Sequence, residues 1–287
     1  MAKGRELKGR IKSVENTRKI TRTLEMVATS KMKRAQDRVH AARPYAAALS
    51  DVLVDLYSPE LAERFPLMRQ PAHVKRAAVL LLTSNRGLAG AFNSNLIKEA
   101  RALIARLESE GVEVELHTVG RKGAGYFRYV GRAIASSRSD IGDKPTSAQA
   151  AELVDGLRAS FGNGTLDALY LVYTKFNSVM STPAVTERVL PVAPPARRAA
   201  PLDYLLFPSA EAILDQLLPA YVRNVVFRAL VESEAAFQSA QRTAMKNATD
   251  NATDMLNILR RTYNRARQAQ ITQEIAEIVG GAAALQG

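Results

Sequence analysis

Two stretches of this 287-residue chain contain neither glycine nor proline, residues 10–43 and residues 220–279. Because those two residue types are the usual helix breakers, each stretch is free to run as one helix. At 1.5 Å per residue the two would span about 50 Å and about 90 Å. Helices that long do not fit inside an ordinary globular domain, and uncapped patterns of this length read as a coiled coil. The first stretch carries a stripe at Leu7, Ile11, Val14, Thr21, Ala28, Met32, Ala35 and Val39, near the 3,4 heptad rhythm. Arg18 and Glu25 interrupt it, and Ile20, Leu24 and Val27 form an adjacent stripe. The second stretch offers Val222, Val226, Ala229, Ala236, Ala240, Ala244, Ala248, Met255, Leu259, Thr262 and Ala266. So much alanine in a seam lets two helices approach closely. The polar tandem at 247–254 (NATDNATD) is expected on the exposed side.

The residues between the two stretches follow another rhythm. Arg76 to Thr83 (RAAVLLLT) reads as a buried strand, Ser94 to Glu110 as a helix, and Val112 to Val119 as an alternating strand. Ser147 to Ser160 reads as a helix, Leu166 to Tyr173 as a third strand and Ala184 to Val192 as a fourth. Strands alternating with helices imply a parallel α/β sheet. The fold expected is therefore α/β: a long antiparallel two-helix coiled coil from the termini, plus a Rossmann-like α/β domain with a mostly parallel sheet. The expected domains are 1–58, 74–195 and 209–287, with Pro191, Pro194, Pro195 and Pro201 marking the return to the long helix. One domain joining the end of the first helix to the start of the second forces the helices antiparallel. Their unequal lengths predict that the second overshoots by about 26 residues, or about 40 Å. That overshoot is expected to carry Met255, Leu256, Ile258, Leu259, Ile271, Ile275, Ile278 and Val279. So much apolar surface on a lone helix calls for a sheath supplied by other chains.

Charge supports a partner. The chain carries a net +12. Residues 1–43 hold 13 Lys and Arg against Glu6, Glu15, Glu25 and Asp37, so most of the excess lies there. An acidic partner or surface is expected. The basic start has no apolar segment after it, so it does not read as a secretory signal. The apolar run Ala77 to Leu82 is far too short to cross a bilayer.

Chemistry finds little support. The chain has no cysteine, which excludes disulfides, thiolate metal sites and cysteine catalysis. His40, His73 and His117 are far apart in sequence. Ser84 to Asn93 (SNRGLAGAFN) follows a strand and opens a helix, the right place for a phosphate loop. Yet Gly87 and Gly90 are spaced GxxG, and neither GxGxxG nor GK[ST] occurs; Gly120, Gly123 and Gly125 are in the wrong order. A tight turn packed on a neighbour is the better reading of Gly87 to Gly90. No GxSxG elbow is present. No catalytic, cofactor or metal residue is expected. A basic helix following phosphates is an alternative, but no aromatic residue interleaves the charges over residues 1–43, and no known DNA-binding module is present.

Four segments resemble one family. Ile11 to Gln36 (IKSVENTRKITRTLEMVATSKMKRAQ) resembles the start of the γ subunits of F-type ATP synthases, and Ser84 to Asn93 resembles their glycine-rich loop. Asp203 to Tyr221 resembles the segment leading into their last helix, and Met245 to Leu285 resembles their C-terminus. The resemblance implies a central rotary shaft coupling proton-driven c-ring rotation to conformational cycling of catalytic β subunits. It implies a non-catalytic subunit, present once per complex, without cofactor. Its partners would be the α3β3 ring, the ε subunit and the c-ring, and not nucleic acid. Its place would be peripheral on the cytoplasmic side of a bacterial inner membrane. Basic nucleic-acid-binding coiled coil and nucleotide-dependent enzyme stand as the alternative classes.

Residue by residue, the resemblance implies contacts with α and β at Arg10, Lys12, Lys19, Arg22, Lys31, Lys33, Arg34, Arg267, Gln268, Thr272, Ile275 and Ile278. Tyr204, Leu205, Leu206 and Phe207 correspond to the family's foot near the c-ring. Leu88 and Phe92 are assigned either to ε or to the foot's own core. Ala89 stands where the family often has cysteine, which excludes thiol control there.

Overall fold

The computed structural model describes residues 2–57, 63–193 and 209–286, with side chains left aside at 2–4 and 283–286. Its elements in chain order are α1 (Ala2–Leu56), a 3-10 turn (Pro66–Met68), β1 (Arg76–Leu82), α2 (Phe92–Ser109), β2 (Glu113–Val119), α3 (Arg121–Tyr129), β3 (Ser136–Arg138), α4 (Ser147–Gly162), β4 (Ala168–Thr174), β5 (Ala184–Leu190) and α5 (Ala210–Gln286). The chain divides into two compact units, Met1–Thr29 with Gln241–Gly287, and Ser30–Ala240.

Both terminal helices run longer than their glycine- and proline-free stretches. α1 has 55 residues and passes through Pro44, while α5 has 77 and passes through Pro219. A proline inside a helix costs about 3 kcal/mol. Burial offsets that cost here. Leu49, Leu53 and Leu56 follow Pro44 into the core, and Leu214 and Leu218 precede Pro219 in the same core. Tertiary packing, not propensity, sets these helix ends.

In the unit Met1–Thr29 with Gln241–Gly287 the two helices pair antiparallel. Thr249 Oγ1 donates to Thr21 Oγ1 at 2.9 Å, and Arg260 donates to Glu15 at 2.6 Å, so partner numbers rise along α5 as they fall along α1. Along α5 the covered positions are Met245, Thr249, Ala252, Leu256, Leu259, Tyr263, Ala266 and Gln270. That is an unbroken 4,3 alternation, the spacing of a coiled-coil seam. It departs from the stripe expected at Ala248, Met255 and Thr262. Ala248 is half-buried, as are Leu259, Tyr263, Ala266 and Gln270, but it stands beside the buried Thr249, and Met255 and Thr262 face solvent. A search for apolar residues slides off the seam here because the seam itself carries a threonine. The polar tandem therefore lies partly in the interface: Thr249 and Ala252 are covered, whereas Asn247, Asp250, Asn251 and Asp254 are exposed. On α1 the expected stripe fits, with Thr21 and Ala28 buried and Leu7, Ile11 and Val14 half-buried.

The unit Ser30–Ala240 is built on a five-stranded sheet of order β3-β2-β1-β4-β5. β1, β2, β3 and β4 are parallel, and β5 runs antiparallel to β4. The antiparallel edge follows from length, because the nine residues between Thr174 and Ala184 form a hairpin and are too few for a crossover helix. The sheet is covered on both faces, so β1 is buried along all but its first residue. On one face Ala78, Leu80, Leu82, Leu169 and Leu171 meet α4, the end of α1 and the start of α5. On the other, Ala77, Val79, Leu81, Leu116 and Val172 meet Leu96, Ala100, Leu103 and Leu107 of α2 and Phe127 of α3. Helix α3 and strand β3 had no sequence signal strong enough to be expected. α3 spans nine residues with two glycines, and β3 three polar ones.

Candidate functional site

The candidate site is a pair of contact surfaces, one on each unit. In the coiled-coil unit, the register carries the start of α1 to a point near residue 273 of α5, thirteen residues on from the Glu15–Arg260 pair. The remaining stretch to Gln286 runs on unpaired for about 20 Å, half the expected overshoot. The difference arises because α5 also starts early: Ser50 hydrogen-bonds Tyr221, so part of the excess length precedes the end of α1. Of the apolar residues expected on the overshoot, Leu256 and Leu259 belong to the seam. Ile271, Ile275 and Ile278 repeat at four- and three-residue spacing on one face and are 45%, 56% and 70% exposed. Nothing among the described residues covers them. Ile20, Met26 and Val27 of α1 and Met255 and Ile258 of α5 are also exposed.

The basic candidates separate by what already holds them. Arg10 pairs with Glu6, Arg22 with Glu25, and Lys33 with Asp37, all within α1. Lys31 pairs with Asp143 of the loop after β3. Lys12, Lys19 and Arg34 are exposed without an ion partner among the described residues. On α5, Arg267, Gln268 and Thr272 are exposed, and the Thr272 hydroxyl donates to the Gln268 carbonyl. Tyr204, Leu205, Leu206 and Phe207 lie outside the described residues.

In the α/β unit, strand order reverses between β1 and β4, and the crevice at the carboxyl ends of such strands is where nucleotides bind in open α/β sheets. Around it the loops that follow β1 and β2 pack on one another. Gly120, at φ 93°, lies so near Thr83 that a β-carbon would stand 2.1 Å from its carbonyl oxygen. The Thr83 hydroxyl accepts from the Gly123 amide at 2.9 Å. Asn93 folds back onto Ser84, its Oδ1 accepting the Ser84 amide at 3.0 Å. Phe92 is buried edge-on against Phe237 of α5, ring centroids 5.5 Å apart, so its partner is within the chain. Leu88 has the opposite disposition, 64% exposed at a left-handed φ of 62°. What remains is a cavity of about 240 Å³ beneath α5. Among the described residues no cluster of three or more His, Asp or Glu is arranged to hold a metal ion. His117 serves the sheet edge, its Nδ1 2.7 Å from Ser136 Oγ, and burial lowers its basicity.

Sequence reasoning missed the polar ties by which the helices hold the sheet. Arg223 forms a two-point ion pair with Asp155 of α4. Arg228 pairs with Glu187 of β5, which also accepts from the Tyr173 hydroxyl at 2.8 Å. Glu232 accepts the Phe176 amide at 3.1 Å, and Ser233 accepts the Thr174 amide at 3.3 Å. Ser239 donates to Val179, and Arg43 of α1 donates to the Phe176 carbonyl. Burial pushes the Tyr173 hydroxyl and the Glu232 carboxyl toward their neutral forms. Burial also opposes the Arg228 charge, but Glu187 and Tyr173 outweigh it. The Arg223 hydrogen bond holds Asp155 below the usual carboxylate range. The signal was present in the sequence as polar residues inside a buried apolar run, LVESEAAF at 230–237.

A family profile described as ATP synthase matches residues 3–285. The ATP synthase gamma chain of Gemmatimonas aurantiaca is 68% identical over the full length of both chains. That of Moorella thermoacetica is 46% identical, again over the full length of both. The Acidithiobacillus ferrooxidans chain is 43% identical over 99% of this chain and 100% of its own. Among solved structures, the central stalk and c-ring of the Tetrahymena thermophila mitochondrial ATP synthase matches with a TM-score of 0.62 at 25% identity, covering 80% of this chain and 99% of that one. A chain of the Euglena gracilis mitochondrial ATP synthase shares the fold with a TM-score of 0.70 at 18% identity, over 99% and 95% of the two chains.

Proposed function

Because the chain belongs to the ATP synthase gamma chain family, we infer that it is the central rotary shaft subunit of an F-type ATP synthase. In that role it is non-catalytic. It couples rotation of a c-ring to conformational cycling of catalytic β subunits, driving ATP synthesis and, in reverse, hydrolysis. The observation that carries the reading is the α1–α5 pair and its unpaired apolar end. An exposed isoleucine face on a lone helix is costly in water and fits a collar of other chains. The partners are the α3β3 ring, ε and the c-ring, with one shaft per complex. No helix among the described residues is long and apolar enough to cross a membrane, which fits peripheral association. The site we propose is the cytoplasmic side of a bacterial inner membrane.

The same reading assigns residues 1–58 and 209–287 to the shaft and 74–195 to the foot. Lys12, Lys19 and Arg34 lead as contacts for acidic segments of α and β, because they hold no other ion partner. Arg10, Arg22 and Lys33 exchange own-helix pairs for such contacts, and Lys31 would have to leave Asp143. Arg267, Gln268 and Thr272 are the upper contacts, and Ile275 and Ile278 form an apolar bearing. Leu88 is assigned to a neighbouring subunit, and Tyr204 to Phe207 to the c-ring side. Physically, the shaft presents different faces to three otherwise similar sites and so biases each toward a different state.

The test is co-purification of the tagged full chain with subunit identification, followed by ATP synthesis in proteoliposomes. Recovery with α, β, ε and c subunits supports the reading. Salt-sensitive recovery with nucleic acid instead of those subunits would replace it with the basic coiled-coil alternative.

A further inference from the structure

The carboxyl ends of the strands frame a cavity of about 240 Å³ where four elements meet, lined by Ser84, Arg86, Arg121, Asp143, Ser233 and Glu234. Glu234 projects from α5 among residues otherwise buried, such as Ala235, Ala236 and Phe237. Facing it are Lys31 and Arg38 from α1 and Asp143 from the loop after β3, while Arg86 and Arg121 line the same cavity from the β1 and β2 ends. Among the described residues its side-chain hydrogen bond comes from Gln238, whose Nε2 donates to Glu234 Oε1 at 2.7 Å. Gln238 is itself almost wholly buried, and its Oε1 has no partner. An amide oxygen left bare in the interior is costly. Turning the amide over would only leave the NH2 group bare instead, so the contact that Gln238 makes is to the ionised carboxylate. Asp143 stands at the other side of the group. Its side chain pairs with Lys31, and its carbonyl accepts from Arg38, so it ties the loop 139–145 to α1.

We propose that Glu234 is a proton-responsive latch: neutral, it leaves Lys31 and Arg38 to Asp143; ionised, it is held by the Gln238 amide, competes for those cations, draws water into the cavity and loosens the loop 139–145 from α1. Burial raises the Glu234 carboxyl to about 7, against the pull of Gln238, so the change falls near neutral pH. The folded state therefore binds this proton more tightly than the unfolded chain. Stability is highest at the acidic side of the window and is lost as pH rises from about 4.5 through about 7. The latch rests on the unit Ser30–Ala240 alone and does not depend on the shaft function.

The experiment follows the carboxyl carbon of Glu234 by NMR in the full chain, assigned by its loss in E234Q, together with amide exchange of the loop 139–145 at pH 6 and pH 8 after correction for intrinsic rates. A midpoint between 6 and 8, with loop exchange rising about tenfold across it in the wild type and staying flat in E234Q, supports the latch. A midpoint near 4.5 overturns it. Titration near 7 with a loop that exchanges equally at both pH values, or with the same rise in E234Q, also overturns it. Q238L serves as a second variant. With the amide gone, the carboxyl loses its donor when ionised, and its midpoint is expected to rise further; no movement would count against the Gln238 partnership.

Discussion

The hydroxyl pair in the coiled-coil seam lends itself to a quantitative test. Thr21 and Thr249 are both 8% exposed, and Thr249 Oγ1 lies 2.9 Å from Thr21 Oγ1. Each hydroxyl also reaches a carbonyl on its own helix, Arg18 for Thr21 and Met245 for Thr249. Thr249→Val keeps the shape but removes the donor, and leaves the Thr21 oxygen facing a methyl group. A buried hydrogen bond lost in this way costs about 1 kcal/mol. Thr21→Val should cost about the same. The double variant removes both polar groups, so it should be nearly neutral or slightly stabilising. The cycle therefore predicts a coupling of about 1 kcal/mol or more, opposite in sign to simple addition. Amide exchange of peptides covering 15–27 and 245–256 in the full chain reads this locally. Each single variant should lose protection about fivefold, and the double should regain it. If the double variant loses the product of the two single effects, the hydroxyls do not act as a pair and the register is held by the apolar positions alone.

Three further expectations follow from the same contacts. Deleting residues 271–287 leaves the paired seam untouched, yet it should lower ATP synthesis in reconstituted vesicles more than alanine at Lys12, Lys19 or Arg34, since an exposed cation is worth under about 1 kcal/mol; equal losses would argue against the sheathed end. Glu187→Ala strips Arg228 of its carboxylate and Tyr173 of its acceptor, and should cost about 2 kcal/mol in urea unfolding, less than a fully buried pair because both charged side chains are about a third exposed; a Glu187→Leu/Arg228→Leu double variant should recover most of it. Arg138 holds Asp140 at about 2, and Lys31 and Arg223 lower Asp143 and Asp155, the burial of Asp143 notwithstanding. Depressed carboxylates stabilise above their unfolded range, so the thermal midpoint should fall as pH drops from about 4 toward 2, and Asp155→Asn should flatten part of that fall.

Much of this architecture could be read from the chain because it depends on periodicity. Glycine- and proline-free runs announced the two helices, and RAAVLLLT announced the central strand. The readings failed where polar residues do structural work. Thr249 lies in the seam, yet a search for apolar residues passes to Ala248 and Met255, which are half-buried and exposed. Pro44 and Pro219 end the glycine- and proline-free runs, but the expected bounds 1–58 and 209–287 already pass them, and the burial of Leu53 and Leu214 offsets their cost. Of the candidate surface, the apolar run Ile271, Ile275 and Ile278 was legible in the sequence, and its exposure is what the structure adds. The pairing of Lys31 was not, because Asp143 is 112 residues away in a loop no local pattern marks. Phe92 and Leu88, four residues apart, could not be assigned before the Phe237 ring was seen against the first.

The distribution of polar contacts along α5 bears on how such a helix could carry torque. Apolar burial is non-directional, so a helix held by it alone can rotate or slide at little cost. Hydrogen bonds and ion pairs fix orientation, because their geometry is narrow. Between Arg223 and Ser239 the helix makes polar ties to α4, β5, the end of β4 and the hairpin after it, at intervals of about one to two turns. From Ile271 to Ala282 every residue is exposed, and among the described residues the side-chain hydrogen bonds there run within the helix, Thr272 to Gln268, Gln270 to Glu274 and Gln273 to Glu277. One end of α5 is thus locked in rotation and the other presents a surface with no directional hold of its own. A driven shaft requires the first property where force enters and the second where it must turn inside a collar. Moving a directional contact to the second place, for instance an arginine at Ile275 facing an acidic wall, should therefore slow rotation without disturbing the fold.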